Sequence, residues 1–254
     1  MPETIAQAAS TWSLTLLRLT VFSAPTGKPD PSWWQTLFDR PAENRTERNR
    51  GIECVETNPW ESGQLSFGWN PTRRDCVYSA TPEQEASVVG AFILGSFSDI
   101  RHPFSHLTEK WLDHLPDLTR VAVGGIFELD ATDKEEAYLK LKPFLPAVEL
   151  DPVGSRDFFY QINRPRLASK LIDPLVLNRL SKWAVVAYHR TQILIDSQGQ
   201  TTTPLGDAIF RCRLETDINT AHDYPGPIAK EKLRVVLHQM MDLTDEILQK
   251  GDTK

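Results

Sequence analysis

Residues 210–219, FRCRLETDIN, alternate with a period of two. Phe210, Cys212, Leu214, Thr216 and Ile218 fall on one side, and Arg211, Arg213, Glu215, Asp217 and Asn219 on the other. Side chains along a strand point to opposite faces, so this segment belongs in a sheet with one packed and one wetted face. Antiparallel sheets accept that arrangement, whereas strands buried on both faces read as unbroken apolar runs.

Other segments extend the pattern. Residues 12–22, 51–57 and 120–129 read as strands, 181–196 as one or two strands closing at the turn SQGQ, and 63–80 as a hairpin in which Leu65, Phe67 and Trp69 alternate before NPTRRD turns the chain. Residues 40–51, RPAENRTERNRG, read as an exposed loop. Helical signals follow Asp30-Pro31-Ser32 (WWQTLF) and open at Thr81, Pro82 and Glu83, with Val89, Phe92, Ile93 and Phe97 at helical spacing. Pro103 should break or kink that helix before Phe104, Leu107, Trp111 and Leu115 restart the period. A short helix ends near Pro143. The last helix carries Leu233, Val236, Leu237, Met240, Leu243 and Ile247 as its apolar stripe and stops at Gly251.

The class is therefore α+β, with mainly antiparallel sheet and helices on one face. Lead strand, connection, strand pair and long amphipathic helix recur in that order in residues 1–150 and 151–254. The expectation is two similarly ordered halves packed as one compact body, an order of elements without a repeat of residues.

Charge and composition narrow the function. With 28 Lys and Arg against 34 Asp and Glu, the net charge is −6, which disfavours a surface that grips phosphate throughout. Cys54, Cys76 and Cys212 lack CxxC spacing and read as buried free thiols of a reducing compartment. The first 22 residues lack a secretory pattern and no run is long enough to span a membrane, so a cytoplasmic location is expected.

Chemistry-bearing motifs are sparse. No phosphate-binding GxxxxGK[ST] or GxGxxG is present, nor a GxSxG elbow. Gly124-Gly125 inside a strand reads as a bulge or a close approach. His102 and His106 are four apart without the Glu of HExxH. In LETDINTAHD, Asp217, His222 and Asp223 offer a divalent-metal set, or Glu215 and Asp217 an acid–base pair. The competing reading pairs these charges across strands of a wetted face, with Asp217, Asn219 and Asp223 turning the chain. Arg156, Arg164, Arg166, Lys170, Arg179, Lys182, Arg190, Arg211 and Arg213 interleave with Tyr160, Trp183 and Tyr188, as on sheets that stack bases.

Residues 157–170, DFFYQINRPRLASK, read as a strand ending in a polar clamp. Gln161 and Asn163 satisfy loop backbone groups, and Arg164 or Arg166 pairs with an acid such as Glu215 or Asp217 or with a partner protein. Adjacent Trp33 and Trp34 cannot both face one core on a helix, which leaves two readings: one of the pair is exposed, or each tryptophan covers a core edge; Trp60 falls in a loop. Exposed Trp and Arg mark protein interfaces.

Residues 212–219, CRLETDIN, with the helix after them, and 162–164, INR, resemble a sporadically distributed family of bacterial and archaeal proteins built as two α+β halves, with a late LDID-type strand running into a terminal helix. The likeness covers mostly the second half, and Glu215-Thr216 departs from the pattern. It implies no assigned activity and no catalytic residues; the family's scatter implies a role in a bacterial defence or regulatory system.

The expected function is a non-catalytic accessory or adaptor protein without a cofactor, docking on protein partners and open to homo-oligomers. One alternative is a metal-dependent hydrolase or nuclease using Asp217, His222 and Asp223. The other is an RNA- or single-strand-binding protein using the basic, aromatic second half.

Overall fold

The computed structural model describes residues 12–25, 31–81, 93–168, 174–189, 191–196, 199–204 and 206–253. Its strands are β1 (Ser13–Ser23), β2 (Asn44–Arg48), β3 (Glu53–Trp60), β4 (Gly63–Trp69), β5 (Arg73–Ser79), β6 (Gly95–Ser96), β7 (Leu118–Ala131), β8 (Phe159–Asn163), β9 (Arg166–Leu167), β10 (Val176–Tyr188), β11 (Thr191–Asp196), β12 (Gly199–Pro204) and β13 (Ile209–Thr220). The helices are α1 (Trp33–Phe38), α2 (Phe97–Asp113), α3 (Lys134–Leu141) and α4 (Lys230–Lys250). Eleven strands form one sheet in the order β2-β3-β4-β5-β1-β7-β13-β10-β8, with β6 on β1 and β9 on β10. Its neighbours pair antiparallel, and β11 and β12 form a separate ribbon. The protein is α+β, as the alternation at residues 210–219 requires.

The packed face carries Leu14, Leu17, Leu19 and Val21 of β1, Val121, Val123, Phe127 and Leu129 of β7, Leu177 and Trp183 of β10, and Cys212, Leu214 and Ile218 of β13, all buried. The helices cover this face. Trp33 of α1 meets Trp111 of α2 edge-on, Phe97 of α2 meets Phe127 edge-on, and the Cys212 thiol donates to the Ala137 carbonyl of α3. Leu233, Val236, Leu237, Met240 and Ile247 of α4 are buried in the same core. Among the described residues no helix lies on the other face, and none is long and apolar enough to cross a membrane.

Several local expectations are corrected. Residues 44–48 are not loop but an edge strand, exposed along its length and held by pairing to β3. The turn between them puts Asn49, Arg50 and Gly51 at positive φ. Residues 82–92 of the helix expected from residue 81 lie outside the described residues; beyond them Gly95 and Ser96 pair with β1, and the helix begins at Phe97. Pro103 does not end it. Ser96 caps α2 by accepting from Asp99 N, and Phe97, Ile100, Phe104, Leu107 and Trp111 line one buried stripe through the proline. Burial of that stripe outweighs the one backbone bond proline removes.

Candidate functional site

The wetted face collects the polar side chains of the long strands. In register across it lie Arg18, Gly124, Asp217, Leu180 and Asn163, and beside them Leu16, Ile126, Glu215, Lys182 and Gln161. A shallow depression of about 170 Å³ lies between these rows, floored by Gly124 and Gly125. The glycines are close approaches and not a bulge: the β1–β7 register is continuous there. A Cβ on Gly125 would lie 2.5 Å from the Phe127 ring on the packed side, and one on Gly124 would lie 3.2 Å from Arg18 Nη2 on the open side. The Arg18 guanidinium thus rests against bare backbone, and its buried Nε has no acceptor among the described residues.

Most other charges here are matched. Arg211 contacts Glu128 and Asp130, each at 3.0 Å, while Arg213 contacts Glu215 at 3.0 Å and Glu128 at 3.8 Å. Lys182 lies 3.6 Å from Glu215, and the Tyr188 hydroxyl donates to Glu128. Burial, then the Glu128 carboxylate, push the Tyr188 phenol up and keep it a donor. An amide ladder crosses three strands: Asn163 Nδ2 donates to Asn178 at 3.0 Å, Asn178 Nδ2 to Asn219 at 3.0 Å, and Asn219 Nδ2 to Asp217 at 2.9 Å. These bonds hold the side chains in fixed orientations in front of solvent.

The expected site residues separate into four groups. Arg213, Glu215, Asp217, Gln161 and Asn163 come together on the open face. Arg164 and Arg166 do not join them, because the strand alternation turns Arg164 to the helix side, opposite Arg179. Arg164 makes a two-pronged contact with Asp252, and Arg166 meets Glu246 of α4 at 3.1 Å, in place of Glu215 and Asp217. The clamp is real, and its acids come from the end of the chain.

Of the two readings of the tryptophans, the exposed one is corrected and the covering of the core is what the structure has. Trp33 and Trp34 are 2% and 0% exposed, because α1 is wedged between two apolar surfaces. Trp33 faces Trp111 of α2, while Trp34 stacks on Phe38 and meets Phe67 of β4 edge-on. Glu56, fully buried on β3, accepts from Trp33 N at 2.9 Å and Trp34 N at 3.3 Å. Trp60 is not in a loop: it ends β3, half-buried against Tyr78.

His222 and Asp223 are exposed beyond the end of β13, and among the described residues no three His, Cys, Asp or Glu side chains gather where a metal could be held. His102 and His106 both lie on the exposed side of α2. The aromatics expected to stack bases are engaged elsewhere. Trp183 is buried, Tyr160 donates to Asp252 at 2.9 Å, and Tyr188 binds Glu128. Cys54, Cys76 and Cys212 are free and buried; burial pushes all three thiols up, Cys212 to about 12. None is a ready nucleophile.

Arg18 is a site residue that the sequence motifs passed over, whereas Gly124 stood there only as a close approach and Lys182 only as one of the second-half basic residues. Arg18 did leave a signal, as the only charge in the otherwise apolar and hydroxylated LTLLRLTVF. The arrangement defines a class, a one-sided antiparallel sheet backed by helices and presenting a fixed pattern of charge and amide groups. No protein-family model matches the chain, nor does any curated protein or solved structure.

Proposed function

We propose that this protein is a non-catalytic accessory or adaptor subunit that docks a protein partner on the open face of its sheet. One observation carries the reading: a broad sheet face, free of helices among the described residues, whose charges of both signs are oriented by one another around the Arg18–Gly124–Asp217 depression. Interleaved, pre-oriented charges favour a partner with its own mixed pattern and fix register in a complex. They suit phosphate poorly, since Arg211 and Arg213 are already matched by Glu128, Asp130 and Glu215.

The same reading takes residues 1–150 and 151–254 as two similarly ordered halves. It is supported by the sheet order, in which the strands of the first range lie to one side of the β7–β13 pairing and those of the second to the other. Each range contributes one long helix, α2 or α4. The test is affinity capture from native lysate at moderate salt, followed by mass spectrometry and by nucleic-acid and metal analysis of the eluate. A stoichiometric protein without nucleic acid or metal supports docking; oligonucleotide or divalent metal on an otherwise lone chain sinks it.

A further inference from the structure

The open edge at β2 carries an inference independent of the docking face. Its five residues, NRTER, are all exposed, so no buried side chain holds the strand, and its outer backbone groups lack a strand neighbour among the described residues. Natural edges are blunted by proline, bulges, short strands or charged side chains, and charges deter pairing only where like signs would meet. β2 has no proline, and its register against β3 is unbroken. The other edge differs: β8 has five residues, then Pro165 and the two-residue β9.

The charges on β2 are also self-complementary. An antiparallel copy centred on Thr46 sets Arg45 opposite Glu47 of the copy and Glu47 opposite its Arg45, both on the helix side. On the open side Thr46 meets Thr46. Because Val55 of β3 pairs with Thr46, the join becomes a row of four β-branched side chains, Val55, Thr46, Thr46 and Val55, two from each copy. Val55 is 47% exposed, and Ile52, at the same corner, is 43% exposed. A two-fold axis perpendicular to the sheet keeps the helices of both copies on one side.

We propose that β2 pairs with β2 of a second copy of this chain, forming a two-fold dimer with one continuous sheet and doubling the open face. The experiment is the mass in solution by light scattering and sedimentation velocity across a concentration series. Wild type should reach twice the 28.8 kDa of the chain. Glu47→Arg sets two arginine pairs face to face and should yield monomer, whereas Gln161→Arg on β8 should remain dimeric. Mixing Glu47→Arg with Arg45→Glu restores both opposite-charge pairs and should recover a heterodimer. Arg45 also contacts buried Glu56, so folding of Arg45→Glu is checked by circular dichroism. If it does not fold, the contrast between Glu47→Arg and Gln161→Arg still decides. A wild type monomeric at every concentration overturns the proposal, as does a dimer that survives Glu47→Arg or dissolves with Gln161→Arg.

Discussion

Asp252, 3% exposed beyond the end of α4, accepts both Arg164 Nη2 at 2.8 Å and Arg164 Nε. The contact ties the tail of the last helix to the end of edge strand β8. Tyr160 donates to the same carboxylate, Arg179 reaches the carbonyls of Gly251 and Thr253, and Gly251 at φ 69° packs against Phe144 where a Cβ would not fit.

Asp252→Asn should therefore cost about 3 kcal/mol, because it leaves Arg164 without its carboxylate, while buried Arg179 keeps Glu246 at 3.8 Å. The pH dependence has a defined sign. Burial pushes the Asp252 carboxyl up, but the hydrogen bonds from Arg164 and Tyr160 and the charges of Arg164 and Arg179 outweigh it, and the group ends below its ordinary value. Its contribution is present in full above the unfolded value near about 3.9 and is lost as pH falls through the lower folded value. Urea titrations from pH 7 into the acid range should show the gap between wild type and variant closing in that window.

Glu56→Ala should lower stability by about 3 kcal/mol, with a fall in Tm on the order of 10 °C. It orphans the Trp33 and Trp34 amides at the start of α1. Tryptophan emission should shift to the red as the pair loosens, which Glu215→Ala on the open face should not cause.

The two glycines under the depression should part company. Gly125→Ala drives a Cβ to 2.5 Å from the Phe127 ring and should destabilise by about 1–3 kcal/mol. Gly124→Ala meets the flexible-chain end of Arg18 at 3.2 Å and the Thr216 carbonyl at an ordinary contact distance of 3.5 Å, and should leave Tm within about 2 °C of wild type. Differential scanning calorimetry on the pair checks both.

Cys54, Cys76 and Cys212 should resist a disulfide reagent at neutral pH in the native protein and react together on denaturation, since burial keeps each thiol protonated. Rapid native labelling of any of them would contradict the core described above.

Much of this fold was legible because it is written locally. The alternation at residues 210–219, the hairpin at 63–80 and the stripe of α4 each carry their period within a few turns of chain, and the structure follows them. What escaped depends on partners distant in sequence. Nothing near Arg164 announces Asp252, 88 residues on, and Trp33 and Trp34 read as a conflict until α2 and the sheet supply an apolar surface for each. β2 has no apolar period, so only its pairing with β3 makes it a strand. On the site, Arg213, Glu215 and Asp217 stood out by alternation; the Gly124 floor needed the neighbouring strands to be seen.

The most direct test of the docking face compares partner capture by two charge-reversed variants of equal net charge. One carries Lys182→Glu with Asp217→Lys on the open face. The other carries Arg234→Asp with Asp113→Arg, reversing an exposed ion pair on the helix side. Docking on the sheet predicts that a stoichiometric protein captured by wild type stays with the helix-side variant and is lost from the open-face variant. Retention by the open-face variant, or loss from the helix-side one alone, would contradict it.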